Sequence, residues 1–371
     1  MIFLWLLLII IGLWKKQSKI ITFLQITFMI FLLTFNDNNP DYVNNYNTFL
    51  QVNNNSLHSV SGNWIYILTL NIFGLFGNYH IVVFSIGCIS MYLIYKTVEY
   101  YSNCYSFCFA LYMLASYVID ATQIKNFFAM SIWLYFSKYL YKAYLNENKI
   151  KNILIYIIGV LLASLCHASF AYTIVYILLL IFDEKNLLIM SGIIGISFIT
   201  CSSMMGNGML GIIRLLSKSN FIYLKFMYSK LVDYSLYFNS TIITKRSFLE
   251  IIFFIIISLI FYMLSKHNTY LQKDNSEFLK FVFKINCIII LTIPILFLSV
   301  EFYRFQRNVL ILDYIAMGRM LCDKKCGFMK IYKKDLIVSI IAIIPAFYYL
   351  YIDTILWNFE DVFMNLFKLI K

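Results

Sequence analysis

The chain has 371 residues, of which 61% are hydrophobic and 19% aromatic; only 13% are charged, the formal net charge is +12, and the mean hydropathy is +0.78. This composition excludes a water-soluble globular protein. It also argues against a nucleic-acid binder, because the basic residues stand at the ends of apolar runs and form no single patch.

Apolar runs recur along nearly the whole length with only three prolines between them, so an all-α bundle is the way to satisfy the backbone in lipid. The short alternating segments of a transmembrane β-barrel are missing. The first run, MIFLWLLLIIIGLW, has neither the basic opening nor the small-residue cleavage site of a signal peptide and is expected to be a membrane segment. Lys15, Lys16 and Lys19 place the turn after it in the cytoplasm, and residues 20–35 lead outward. The loop 36–62 contains no Lys or Arg and is expected outside. Residues 64–77 and 81–95 are separated only by NYH and must together make one net crossing, since Lys96 reads as internal. The first of the pair is expected to be a half-helix that lies in the interface or dips back.

Segments at 104–120 and 127–142 form a hairpin with the outer turn DATQIK, and Lys138, Lys142, Lys149 and Lys151 mark its return to the cytoplasm. Residues 153–166 and 168–182 then meet at His167, in the stretch CHASF. A helix over 153–166 rises about 21 Å against a hydrocarbon core of roughly 30 Å. The bend is therefore expected below the outer surface, inside a cavity. Segments at 187–203, 248–265, 281–299, 308–321 and 336–353 complete about 11 to 13 crossings. Between them lie a long outer loop, 204–247, an inner loop with Lys266 and Lys273, and a basic inner loop with Lys324, Lys325, Lys330, Lys333 and Lys334. The expected architecture is one transmembrane domain over 1–371, a polytopic helical bundle with short or re-entrant helices around an outward-facing cavity.

The loop 204–247 breaks the charge rule, carrying Arg214, Lys218, Lys225, Lys230, Lys245 and Arg246 on the outer side. Either the crossing count is off by one or these cations serve an anionic ligand. On a helix, Arg214, Lys218 and Lys225 fall at about 0°, 40° and 20° around the axis and form one cationic stripe. The eight cysteines lie mostly within apolar runs and read as small hydrophobes; Cys322 and Cys326 form a C-x3-C pair without further nearby ligands, so no metal site is expected.

Several residues have chemistry that their surroundings do not need. Asp37, Asp41, Tyr42 and Tyr46 sit in the Asn-rich outer loop. Asp37 reads equally as a solvated loop residue, whereas Asp41 with Tyr42 and Tyr46 offers what a sugar needs: acceptors for its hydroxyls and a flat apolar face for its C–H side. Lys125 is either an interfacial anchor or a phosphate contact. In EFYRFQRNVLILDY, Glu301, Arg304 and Asn308 fall within about 60° of one another on a helix, with Arg307 one step further round. Glu301 and Arg304 pair at i, i+3 or face a cavity, and two arginines suit a diphosphate through bidentate hydrogen bonds. His167 either closes a helix bend or works as a general base or donor to substrate. HExxH, GxSxG and P-loop motifs are absent, and nothing supports a zinc protease, a serine hydrolase or a nucleotide-binding enzyme.

The run QIKNFFAMSIWLYFSKYL, followed by LLASLCHASFAY, resembles the central signature of the EpsG-type family of bacterial polysaccharide polymerases, which are related in role to the Wzy O-antigen and capsule polymerases. The resemblance extends to Asp41 and Tyr42 in the outer loop, to the short segment NWIYILTLNIFGLFG and to the late motif FYRFQRN. Two positions depart from the family pattern: Lys125 stands where Arg is usual, and Asn63 where an acidic residue precedes WIYIL. The resemblance implies a GT-C-like bundle in the bacterial cytoplasmic (inner) membrane, crossing it many times. It implies a glycosyltransferase that moves a glycan from undecaprenyl diphosphate to another lipid-linked repeat unit on the outer face, in capsule, O-antigen or exopolysaccharide synthesis. No cofactor or metal is implied. The implied partners are the undecaprenyl-diphosphate-linked oligosaccharide, membrane lipid, a chain-length regulator and other export components. In that scheme Arg304 and Arg307, with Lys125 or Arg214, stabilise the leaving diphosphate, Lys218, Lys225, Glu301, Tyr42 and Tyr46 hold substrate, and His167 or Asp41 takes the acceptor proton. A flippase for the same lipid-linked sugar, or a membrane acyltransferase acting on cell-envelope sugars, fits the same residues.

Overall fold

The structure is a computed structural model that describes residues 1–37, 39, 41–54, 63–194, 197, 218, 255–256, 259–263, 273–292, 304–321 and 365–367. Among them every regular element is helical. In chain order these are α1 (Ile2–Trp14), α2 (Lys19–Thr34), α3 (Tyr42–Asn53), α4 (Trp64–Gly74), α5 (Tyr79–Tyr101), α6 (Tyr105–Leu114), α7 (Tyr117–Asp120), α8 (Ile124–Tyr144) and α9 (Lys149–Cys166). A 3-10 helix (Ala168–Leu180) follows, then α10 (Lys273–Thr292), a helical turn at Arg304–Arg307, α11 (Leu310–Leu321) and a turn at Asn365–Phe367. The expected segment 336–353 and the loops 204–247 and 322–335 lie outside the described residues, apart from Lys218.

The chain divides into two compact units, one made of Met1–Ile177, Tyr270–Asn275 and Ile311–Lys371, the other of Leu178–Thr269 and Ser276–Leu310. In the first unit α1, α2 and α6 pack together, α5 packs against α2, α4 and α8, and α8 and α9 form an antiparallel hairpin. Gln25 in α2 is fully buried and its Nε2 donates to the carbonyls of Leu8 (3.1 Å) and Ser106 (3.2 Å), joining three helices through groups that have no water to bond. In the second unit Lys284 of α10 donates to the carbonyls of Leu179 (3.1 Å) and Phe182 (2.9 Å), covering the orphan acceptors where the 3-10 helix ends.

Local sequence sets the element ends. Ser18 accepts from the Ile21 amide (3.3 Å) at the start of α2, and Asn78 accepts from the His80 amide (2.8 Å) at the start of α5. Gly77, at φ +69°, supplies the left-handed residue that lets α4 turn into α5. Asn146 (φ 61°) and Asn148 (φ 37°) do the same in the α8–α9 turn, since Asn tolerates that region better than other side chains. Because that turn closes so early, α9 starts at Lys149 and not at 153, and its 18 residues rise about 27 Å. The expectation that a short helix sinks His167 well below the surface is corrected accordingly. The following segment is also longer than an α-helix over the same residues: at about 2.0 Å per residue the 3-10 form of its 13 residues extends about 26 Å. The expected segment 104–120 is broken at Ala115 into α6 and α7, and α10 begins eight residues before the expected 281.

Among the described residues two helices, Tyr79–Tyr101 and Lys149–Cys166, are long and apolar enough to cross a bilayer, and several apolar helices are shorter. On α9 the exposed face carries Ile150, Leu154, Ile158, Leu161 and Leu165, while Tyr156, Gly159, Val160, Ala163 and Cys166 face inward. An exposed stripe of large aliphatic side chains at helical spacing belongs against hydrocarbon. The helices point to a membrane protein. Among the described cysteines Cys88, Cys108, Cys166 and Cys287 are free thiols, whereas Cys104 is disulfide-bonded and departs from the expected role of a small hydrophobe.

Candidate functional site

The end of the first unit where α2 stops and α3, α5 and α8 begin gathers most of its unusual polar groups. Beyond Thr34 the chain leaves α2, and the Asn36 side chain, 4% exposed, donates to the Ala121 carbonyl (3.2 Å), stitching the loop to the turn between α7 and α8. Asn39 in turn donates to the Asn36 carbonyl. These two bonds fix both amide orientations, so the oxygens Asn36 Oδ1 and Asn39 Oδ1 are assigned. Among the described residues neither has a partner, nor has Asp37 Oδ1; all three oxygens are buried. Their residues line a small, partly open pocket together with Tyr42, Tyr79 and Thr122.

Beside the cavity stands an aromatic cluster. Tyr42 and Tyr46, one helical turn apart on α3, stack with ring centroids 5.8 Å apart and planes 5° off parallel. Tyr79, at the first position of α5, meets both edge-on at 5.6 Å. Each such contact is worth about 0.5–1.5 kcal/mol beyond burial and holds the rings at fixed angles. Burial, and after it the negative charge of Asp37 and the neighbouring Tyr46, raises the pKa of Tyr42, so that its hydroxyl stays protonated and remains a donor.

Lys125, in the first turn of α8, holds its ammonium 4.9 Å from the ring centroid of the buried Tyr66 and lies within electrostatic range of Asp41. Asp41 itself is the N-cap residue of α3 but its carboxylate makes no capping bond. His80, next to Tyr79 at the start of α5, turns Nδ1 to the Thr34 carbonyl (2.9 Å) and Nε2 to Asp37 Oδ2 (3.7 Å). The site thus combines donor-seeking oxygens, aromatic faces, one ammonium and a carboxylate–imidazole pair.

A profile of the EpsG family matches residues 19–368, nearly the whole chain. The chain belongs to the EpsG family. No curated protein and no solved structure matches it. EpsG membership points to an exopolysaccharide-related polymerase, a glycosyltransferase-like enzyme in the membrane.

Of the residues expected from sequence to form the EpsG site, the structure brings Asp41, Tyr42, Tyr46 and Lys125 to this one end. His167 follows α9, which returns antiparallel to α8 and so ends towards the same side as Lys125. Its backbone is extended (φ −151°, ψ 114°), and Nδ1 lies 2.6 Å from Ser169 Oγ. Arg307 is fully buried in the second unit beside the equally buried Gln306 and Asn308. The backbone of Arg304 belongs to the same helical turn. Lys218 is an exposed turn residue, and Arg214, Lys225 and Glu301 lie outside the described residues.

Sequence reasoning missed His80, Tyr66, Tyr79, Asn36 and Asn39. His80 and Tyr79 lie within the connector NYH, and Tyr66 within an apolar run, where nothing in the local sequence sets them apart. Sequence reasoning also passed over the string GNGMLG at 206–211, which has the form GxGxxG. That string lies outside the described residues, and a dinucleotide fingerprint needs a preceding strand, of which there is none among the described residues.

Proposed function

We propose that the protein polymerises repeat units of a bacterial surface glycan: it transfers a growing glycan from undecaprenyl diphosphate to the sugar of another lipid-linked repeat unit on the outer face of the cytoplasmic membrane. The observation that carries this reading is the cavity with Asn36, Asp37, Asn39, Tyr42 and Tyr79 on its wall, in a chain of the EpsG family. Unpartnered oxygens seek hydroxyl donors, and tyrosine faces accept the C–H side of a pyranose ring. Lys125, at the same end, supplies positive charge toward which a diphosphate is drawn. Arg304 and Arg307, with Arg214, are the cations assigned to the leaving diphosphate, and Lys218 and Lys225 are assigned to holding substrate. The bundle is polytopic and GT-C-like, and loop 36–62 faces outward.

Deletion of the gene followed by electrophoresis of the surface glycan tests the reading. Carrier lipid capped with single repeat units supports polymerisation. Complete loss of surface units assigns the protein to export instead, as a flippase.

A further inference from the structure

We propose that Asp37 takes the proton of the attacking sugar hydroxyl and that His80 positions and relieves it, an assignment that rests on the glycosyl-transfer reading above. The loop offers two carboxylates. Asp41 stands at the N-cap of α3, within electrostatic range of the Lys125 ammonium, and is not among the residues lining the cavity. Asp37, by contrast, lines the cavity, and its Oδ1 is buried with no partner among the described residues. A buried carboxylate oxygen without a donor is costly, and a hydroxyl arriving in the cavity supplies that donor.

The imidazole is held for this task. A carbonyl only accepts, so the 2.9 Å contact to Thr34 O puts the hydrogen of neutral His80 on Nδ1. The Nε2 lone pair then faces Asp37 Oδ2 across 3.7 Å. A proton taken up by the carboxylate thus has a second acceptor beside it, with the backbone carbonyl fixing the tautomer as the third member of a base–orienter series. Phe35, 5.6 Å from the imidazole centroid, and the Asn78 cap at the start of α5 keep the ring in place. Asn36 Oδ1 and Asn39 Oδ1, also without partners among the described residues, add acceptors for the remaining hydroxyls of the same sugar.

In the step itself the acceptor hydroxyl oxygen bonds to the anomeric carbon of the donor glycan. The bond from that carbon to the diphosphate oxygen breaks, and its electron pair leaves on the lipid diphosphate. The hydroxyl proton passes to the Asp37 carboxylate, is shared with His80 Nε2, and is later released to water.

The experiment uses the full-length protein in liposomes with undecaprenyl-diphosphate-linked repeat unit isolated from the deletion strain, and it reads kcat and KM for formation of the two-repeat product. Turnover by the wild type tests the glycosyl-transfer reading; its absence removes that reading and this assignment with it. Given turnover, Asp37→Asn is expected to lower kcat by about 10²–10⁴-fold with little change in KM. His80→Gln keeps a hydrogen bond to Thr34 but cannot share the proton, and is expected to lower kcat by a smaller factor. Because the two residues act as one unit, Asp37→Asn combined with His80→Gln should be no slower than Asp37→Asn alone. Membrane-inserted protein, quantified for each variant, separates chemistry from folding. Wild-type kcat in Asp37→Asn, a loss confined to KM, or additive losses in the double variant each overturn the assignment.

Discussion

The Lys125 ammonium has two neighbours with different demands, the face of Tyr66 at 4.9 Å and the charge of Asp41. If its task were only to neutralise Asp41, Lys125→Met and Asp41→Asn would be coupled by about 0.5–3 kcal/mol and the double variant would regain long chains. As a contact for the donor diphosphate it is needed in its own right. The expected outcome is therefore that Lys125→Met shortens the surface glycan, that adding Asp41→Asn does not restore it, and that Lys125→Arg retains most of the length; electrophoresis of the three strains checks this. Asp41, Tyr42, Tyr46 and Lys125 were legible from sequence because ionisable or stacked aromatic groups at the edge of an apolar span are expensive unless they bind something. The partners that turn Asp37 into a candidate base were not. His80 meets it across 43 positions of chain, and Asn36 reaches Ala121 across 85. A single sequence has no periodicity or motif that reports such a meeting.

At the scale of elements, α8 and α9 approach closely enough that a Cβ added at Gly159 would come within 2.2 Å of the Phe136 ring and 2.3 Å of its Cβ. The Cβ of Phe136 is tied to the backbone and cannot swing away, so Gly159→Ala must push the helices apart. A cost of about 1–3 kcal/mol is expected from overpacking. It should appear as a lower midpoint of thermal inactivation in detergent, and Phe136→Ala in the same chain should recover part of it. The hairpin itself was readable, since Lys138, Lys142, Lys149 and Lys151 bracket its turn. Its true length was not, because two asparagines with positive φ, Asn146 and Asn148, look in sequence like any polar loop. The 3-10 form of Ala168–Leu180 was equally hidden: three and 3.6 residues per turn lay nearly the same apolar side chains on one face over a short run. His167 lies where these two helices meet. With the proton acceptor assigned to Asp37, its role is a hydrogen bond to substrate or to the bend, so His167→Gln should keep long chains whereas His167→Ala should lose them. Short chains from the Gln variant at normal protein level would return His167 to the proton-transfer step.

Across the molecule, the two ends of the first unit carry different chemistry. At the end opposite the cavity, ammonium groups lie over aromatic rings: Lys19 over Tyr105, Lys96 over Tyr92 and Tyr95, Lys138 over Tyr135, and Lys142 over Tyr100 and Tyr139. Aromatic side chains interleaved with lysines are the composition of the cytoplasmic membrane interface, and the loop 36–62 beside the cavity has no Lys or Arg. The all-helical class was legible from composition alone, and the charge order carries the expected orientation, because bilayer insertion acts on those quantities and not on side-chain contacts. The polarity fixes a prediction. In a variant with the eight native cysteines replaced, Asn44→Cys on exposed α3 should react with an impermeant thiol reagent in intact cells, whereas Glu147→Cys in the α8–α9 turn should react only after permeabilisation. Lys330→Cys, in the basic loop expected on the inner side, should behave as Glu147→Cys does. Labelling of Glu147→Cys or Lys330→Cys from outside would turn the Asp37 cavity toward the cytoplasm. Lipid-linked repeat units displayed on the outer leaflet could not then reach it, and the outer-face transfer would fall even if Asp37 still proved to be a base.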